Sequence, residues 1–343
     1  MSTQFDFVKE IAKYGLENDQ DNLLKTLSEL IEHSKKTKKL NFALQLQSIL
    51  KESLKEQKFS GLVKVESNNY YDREDEREIR EFILDKVTSD YSFEQIICTD
   101  EVKEELSFFI KEHQFAGVIR QLELPISNKI LFHGPSGCGK TLAAYILAGE
   151  LNKMIYVVNL GAIVSSKLGE TSKNISKIFK KAAKEDCIIF FDEFDSLGKI
   201  RDYSQDHGEM KRVVNTILQL FDYLPQDTMV IAATNQVSML DEALLRRFDL
   251  IVKLDKPSKE QVEELVHKTL RNSKFDYDHA QVKKLLPKCH GLSFYSIQKT
   301  LSNAMKKSFI NNQLQQLDTK IWSNLIASEK IALIKKEPVV PAQ

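Results

Sequence analysis

The chain of 343 residues is poor in structure breakers, with 12 glycines and 7 prolines, which predicts a helix-rich fold with few irregular stretches. Cysteine is sparse too. Cys98, Cys138, Cys187 and Cys289 stand far apart, with neither a Cys-x-x-Cys pair nor Cys/His metal spacing, and this argues against a disulfide framework or a zinc site. There is no surplus of charge: Lys+Arg and Asp+Glu both total 49, and the formal net charge is zero. That argues against wholesale binding to nucleic acid or a membrane surface, both of which need a basic excess. No apolar run approaches the ~20 residues needed to span a bilayer, and Met1–Gln20 lacks the apolar core of a signal peptide. The cytoplasm is the expected compartment. What is present is an ordinary globular composition, 42% hydrophobic and 29% charged, in a chain long enough for roughly two domains of ~150 residues.

Four segments follow from the patterning. Residues 1–60 carry three amphipathic stripes: Phe7, Val8, Ile11 and Tyr14; then Leu23, Leu24, Leu27, Leu30 and Ile31; then Ala43, Leu46, Ile49 and Leu50. A small helical docking domain is expected there. Residues 61–90 read as a charged linker, with a disordered stretch near Ser67–Tyr71 and a solvated helix through Asp72–Glu81 whose apolar edge is Ile79, Phe82, Ile83 and Val87. Residues 91–256 alternate short apolar runs with helical stretches. Lys129–Phe132, Ile155–Leu160, Cys187–Phe191, Met229–Ala233 and Leu250–Leu254 are candidate strands, nearly all apolar, as parallel strands buried on both faces are. A doubly wound α/β domain is expected. Residues 257–343 read as a helical domain with a frayed tail.

Gly134-Pro135-Ser136-Gly137-Cys138-Gly139-Lys140-Thr141 matches G-x-x-x-x-G-K-[ST] and sits between a predicted strand and a predicted helix that runs on through Leu142. Glycines let successive backbone N–H groups turn inward around phosphate oxygens, and the helix N-terminus adds positive potential. Lys140 would neutralise phosphate charge and the Thr141 hydroxyl would ligate Mg²⁺. Cys187–Phe191 ends in Asp192-Glu193, two carboxylates delivered by a buried strand. Asp192 would hold Mg²⁺ and Glu193 would orient and deprotonate an attacking water. The combination predicts hydrolysis of a nucleoside triphosphate.

Over about Tyr91–Lys307 the chain resembles the AAA-family ATPases. Ala232-Ala233-Thr234-Asn235 is similar to the family's sensor strand, which implies that Asn235 contacts the γ-phosphate of ATP or the attacking water. Leu240-Asp241-Glu242-Ala243-Leu244-Leu245-Arg246-Arg247-Phe248-Asp249 resembles the family's second region of homology, which carries arginine fingers. Most members separate the two arginines by Pro-Gly; here Arg246 and Arg247 are adjacent, as in the endosomal-sorting and microtubule-severing branch, and either one could be the main finger. The resemblance implies a homo-oligomeric ring, normally a hexamer, with ATP and Mg²⁺ at subunit junctions. Gly291-Leu292-Ser293 resembles the start of the lid helix, with Gly291 near the adenine. By the same resemblance Ile96 and Ile97 line the adenine pocket, with plain core packing as the alternative.

The family's pore loop usually reads aromatic–hydrophobic–Gly-Glu. Here Ser166-Lys167-Leu168-Gly169-Glu170 keeps Gly-Glu but has Lys167 at the aromatic position, so a protein substrate would be gripped through Lys167 and Leu168 or not threaded at all. The wording of the motifs also resembles a bacterial subgroup that forms the ATPase half of two-gene modules with a subtilisin-like serine protease. Three classes of function stay open: an ATP-driven protein remodeller, a regulatory ATPase gating such a protease, and a scaffold that binds ATP without hydrolysing it.

Overall fold

The computed structural model describes residues 4–16, 20–36, 43, 46–47, 62–64, 82–164, 171–196, 207–225, 228–273, 275–312 and 315–334. The chain divides into two units, Met1–Gly61 and Leu62–Gln343.

In the first unit, helices α1 (Gln4–Leu16) and α2 (Gln20–Lys36) pack together. Phe7, Leu30 and Ile31 are buried, and the Phe7 ring lies 5.5 Å from that of His33. Val8, expected on the same face as Phe7, is instead exposed. Of the third stripe only Ala43 and Leu46 are described, both helical; Ile49 and Leu50 lie outside the described residues.

The second unit is organised by a seven-stranded sheet of order β1-β2-β4-β5-β6-β3-β7. Its strands are β1 (Leu62–Lys64), β2 (Ile83–Ser89), β3 (Lys129–His133), β4 (Ile155–Val158), β5 (Ile188–Phe191), β6 (Met229–Thr234) and β7 (Leu250–Lys253). The five strands from β4 to β7 are parallel, and β3 sits between β6 and β7 although it comes first of the five in the chain. Alternate residues of these strands feed opposite layers. Leu131, Tyr156, Ile189, Phe191, Val230 and Ala232 meet α7 (Thr171–Glu185) and α8 (His207–Asp222), through Ile175, Ile178, Phe179, Ile217 and Phe221. Ile130, Phe132, Ile155, Phe190, Ile231 and Ala233 meet α3 (Asp100–Gln114) and α5 (Lys140–Glu150), through Leu106, Phe109, Ala143, Ala144 and Leu147. The shorter helices α4 (Ala116–Gln121) and α6 (Leu160–Val164) lie on the connections from β2 to β3 and from β4 to β5, respectively. Each large apolar side chain buried this way contributes about 1.5–3 kcal/mol, so both faces of the sheet are strongly driven to be covered.

Residues 83–89 correct one expectation. The apolar positions Ile83 and Val87, spaced by four, suit a helix edge, and the segment was expected in a solvated linker. They form β2, antiparallel to β4 and to β1, so the sheet is mixed rather than purely parallel. The physical reason is the open edge of β4: its backbone groups need partners, and β2 supplies them while burying Val87 and Ser89 on alternate residues. Residues 65–81, including the charged run Asp72–Glu81, lie outside the described residues.

After β7 the chain is helical. α10 (Lys259–Ser273), α11 (His279–Leu285), α12 (Phe294–Asn312) and α13 (Thr319–Ile334) surround Trp322, Val266, Leu270, Leu301 and Ile326, all but inaccessible to solvent. The chain between β6 and β7 contains a 3-10 turn, Val237–Met239, and a short helix, α9 (Glu242–Leu245), capped by Asp241, whose carboxylate accepts from the Ala243 amide at 2.8 Å.

Gly149 shows how tightly α5 is set against the chain leaving β2. A Cβ there would lie 2.1 Å from the Tyr91 carbonyl oxygen and 3.1 Å from that of Ser89. On propensity alone Gly149→Ala in a helix should stabilise by ~1 kcal/mol. We expect the opposite sign, a loss of about 1–3 kcal/mol from overpacking, read as a lowered midpoint of urea unfolding; an unchanged midpoint would mean that α5 is not pressed on this segment.

Candidate nucleotide site

The loop after β3 needs its glycines for two different reasons. Gly134 has φ +139 and its missing Cβ would meet the Leu254 carbonyl oxygen at 2.1 Å, so the loop can pass the end of β7 only without a side chain. Gly139 has φ +95, caps α5, and has open space where a Cβ would point. Lys140 opens α5 and is 7% exposed. Its ammonium donates to the carbonyls of Gly134 at 2.8 Å and Pro135 at 2.9 Å, and to Asn235 Oδ1 at 2.9 Å. Burial lowers the pKa of Lys140, and the nearby Cys138, Asp192 and Asp195 oppose that shift. An ammonium held among dipoles in a dry site is ready to exchange a carbonyl for a phosphate oxygen.

β5 runs buried through Phe191 and then delivers its acids. Asp192 Oδ2 accepts from the Thr141 hydroxyl at 2.9 Å, and Asp192 Oδ1 from the Glu193 amide at 2.8 Å. Glu193 is exposed and has φ +51, a left-handed backbone uncommon for a residue with a side chain. The turn is tied to the neighbouring strand by the Phe194 amide, which donates to the Ala233 carbonyl at 2.8 Å. Two hard oxygen donors, Thr141 Oγ1 and Asp192 Oδ2, in contact beside a buried ammonium, are a donor set that suits Mg²⁺ and phosphate together.

The sequence reading missed Asp195. It is 1% exposed, and its Oδ1 accepts from the Thr234 hydroxyl at 3.2 Å and from the Asn235 amide at 3.4 Å. It therefore fixes the end of β6 from which Asn235 reaches Lys140. The available signal was an acid two residues beyond Glu193, in Asp-Glu-Phe-Asp, where the surrounding Phe194 implied burial.

The structure thus brings Lys140, Thr141, Asp192 and Asn235 into one connected group, with Glu193 adjacent. Cys138 is buried in the loop, and that burial raises its thiol pKa, which disfavours the reactive thiolate. Pro135, Ser136 and Leu142 lie in the loop and the first turn of α5. The helical segment after β7 touches the loop through Ser293 and Tyr295: the Tyr295 amide donates to the Gly137 carbonyl at 3.1 Å, and a Cβ on Gly137 would lie 2.6 Å from Ser293 Oγ. Gly291 itself is exposed, with nothing near its absent Cβ. Ile97 is half-buried, and its neighbour Ile96 packs on the core layer formed with α3 and α5. Lys268 of α10 donates to the Glu94 carbonyl just before them. Among the described residues, Arg246 bonds to Glu242, and Arg247 to Asp222 and Ala243, and neither bonds to the loop. Ser166-Lys167-Leu168-Gly169-Glu170 and the segment 197–206 lie outside the described residues.

Residues 130–256 match the model of the "ATPase family associated with various cellular activities (AAA)". The chain carries an ATPase domain of the AAA family. Over 206 residues it is 40% identical to an AAA family ATPase, y4kL, of Sinorhizobium fredii, an alignment spanning 60% of this chain and 62% of that protein. Over 241 residues it is 32% identical to the ATP-dependent zinc metalloprotease FtsH 2 of Thermoanaerobacter sp., spanning 69% of this chain but 46% of the relative. Alignments thus span less than two thirds of each relative's length. The fold is similar to that in the crystal structure of the FIGL-1 AAA domain, with a TM-score of 0.61 at 18% identity, covering 77% of this chain and 92% of that one. Among the described residues no helix is long and apolar enough to cross a membrane.

If Asp195 anchors the end of β6, Asp195→Ala leaves the Thr234 hydroxyl and the Asn235 amide short of an acceptor in a dry AAA core. A loss of about 1–3 kcal/mol in unfolding free energy is expected, with Asp195→Asn, which keeps one acceptor oxygen, costing less. Equal unfolding midpoints for Asp195→Ala and wild type would remove this role.

Proposed function

We propose that the chain hydrolyses ATP and couples hydrolysis, in a homo-oligomeric ring that is normally a hexamer, to remodelling or unfolding of a protein substrate. The observation that carries this reading is the pair of contacts Thr141–Asp192 and Lys140–Asn235, which joins the loop, the end of β5 and the end of β6 into one site. In this reading the backbone from Gly134 to Gly139 cradles the β- and γ-phosphates, with Lys140 neutralising their charge and Leu142 following in α5. Thr141 and Asp192 hold Mg²⁺, which when bound neutralises charge on the phosphate oxygens. Glu193 takes a proton from the attacking water and Asn235 orients that water or the γ-phosphate. The arginine pair Arg246/Arg247 supplies transition-state charge stabilisation to a neighbouring subunit, worth on the order of 10³–10⁵ in rate in related NTPases. Ile97 and Gly291 flank the adenine.

Residues 1–60 serve as the dock for substrate or partner, residues 257–343 as the lid, and the protein works in the cytoplasm. Lys167 and Leu168 are the residues that meet a polypeptide in the pore. The replacement of the usual aromatic by Lys167 favours a second reading, in which the ring gates a subtilisin-like serine protease without threading anything.

Glu193→Gln should bind ATP but hydrolyse it slower by on the order of 10²–10⁴-fold, and Lys140→Ala should lose nucleotide binding, both measured by phosphate release and a fluorescent ATP analogue. Wild-type turnover in Glu193→Gln removes the general-base role. The same variant, tagged and recovered with ATP and Mg²⁺, separates the two readings. Many substoichiometric chains support remodelling, with Lys167→Ala and Leu168→Ala lowering their capture; one stoichiometric serine protease supports gating.

A further inference from the structure

The first turn of α12 carries a chain of polar groups that leads away from the phosphate loop. Ser293 caps the helix: its hydroxyl oxygen accepts from the Ser296 amide at 3.3 Å, and the hydroxyl donates to Ser296 Oγ at 3.4 Å. Ser296 Oγ donates in turn to Glu329 Oε1 on α13 at 3.0 Å. Lys299, further along α12, donates to Glu329 Oε2 at 3.1 Å and to Oε1 at 3.4 Å. Both serines are buried, and the Glu329 side chain is 17% exposed. A carboxylate so largely withdrawn from water is costly unless its oxygens are satisfied, and both oxygens of Glu329 are.

Between the two serines stands Tyr295. Its amide is one of the donors at a helix start that have no partner within the helix, and it goes to the Gly137 carbonyl at 3.1 Å. A peptide group is planar and trans, so its C=O and N–H point opposite ways. Holding the Gly137 carbonyl on α12 therefore turns the Cys138 amide away from α12. In a phosphate loop that is the side on which successive amides gather around phosphate oxygens. Lys140 holds the same loop by the Gly134 and Pro135 carbonyls, so the loop is braced from two directions. We propose that Glu329 is a positioning residue for nucleotide binding. Through Ser296 and Ser293 it fixes the first turn of α12, so that the Tyr295 amide keeps the Gly137 carbonyl, and with it the Cys138 amide, set for phosphate. This rests on the reading of Gly134–Thr141 as the phosphate loop of an ATPase. A tie that merely joined α12 to α13 would add little, because the apolar packing of Leu301, Trp322 and Ile326 already joins them.

The test reads the dissociation constant of a fluorescent ATP analogue with Mg²⁺, and amide hydrogen exchange across residues 134–139 in the nucleotide-free protein. Glu329→Ala should weaken the analogue about fivefold, the worth of one net hydrogen bond, and speed exchange at 134–139. KM for ATP should rise by the same factor while kcat falls by no more than about twofold. Glu329→Gln, which keeps an acceptor for Ser296, should recover most of the affinity. Ser296→Ala should match Glu329→Ala, and the double variant should lie within about twofold of either. Tyr295→Pro, in a first turn where proline is tolerated, removes the amide itself, and adding Glu329→Ala to it should then cost nothing further. Ile326→Val, which loosens the packing of α13, should lower the melting midpoint and leave affinity and exchange at 134–139 where they were. The proposal is overturned if Glu329→Ala binds and exchanges as wild type does, or if Ile326→Val weakens the analogue as much as Glu329→Ala. It is overturned too if Ser296→Ala and Glu329→Ala weaken the analogue independently. A wild-type protein that binds no nucleotide instead removes the ATPase reading, and exchange at 134–139 in the two single variants and their double then decides whether the brace exists.

Discussion

A buried ammonium surrounded by three oxygens is the constraint on which this molecule turns. Lys140 cannot sit in a dry interior without compensation, since an unpaired charge there costs several kcal/mol. Its partners are two loop carbonyls and Asn235 on the next strand. Satisfying Lys140 therefore fixes the curl of the loop after β3 and the approach of the end of β6 at the same time. The strand order makes this feasible, because β3 and β6 are hydrogen-bonded neighbours although β4 and β5 lie between them in the chain. Every acid in the site comes off the next strand over, β5, so the crevice at the carboxyl ends of β3, β5 and β6 concentrates charge of both signs.

Much of the fold was legible because parallel strands buried on both sides must be continuously apolar, and Ile188–Phe191 and Met229–Ala233 could hardly be anything else. The helices of the C-terminal part were legible for the complementary reason: their apolar residues recur at helical spacing around Trp322 and Leu301. The failure lay at β2. Its apolar residues fall at positions that suit both periods, and it follows a run of charge that pulls the reading toward solvated helix. Only the exposed edge of β4, a property of the assembled sheet and not of the segment, decides in favour of a strand. Tertiary context of this kind has no local signature.

The candidate site was legible where a motif concentrates the chemistry in a few consecutive residues. The loop Gly134–Thr141 and the acids Asp192 and Glu193 stood out by residue type and spacing alone, whereas Asn235 and the arginine pair became visible through resemblance to a family. Asp195 escaped both. Its work is to accept from Thr234 and from the Asn235 amide, and nothing in a sequence announces which buried acid holds which backbone. The differing surroundings of Arg246 and Arg247 were hidden for the same reason, since Asp222 lies 25 residues away in the chain.

The contact between Tyr295 and Gly137 has a mechanical side. The first turn of α12 rests directly on the phosphate loop, and α12 is a 19-residue rod, about 28 Å long at 1.5 Å per residue. A tilt of only about 2° at that fulcrum would carry the far end of the rod through about 1 Å, and α13 is packed along it. The glycine at position 137, chosen for lack of bulk, leaves the loop and the helix no slack between them. Whatever widens or tightens the loop is thus geared up into a displacement at the opposite end of the helical body, where a neighbouring molecule could feel it.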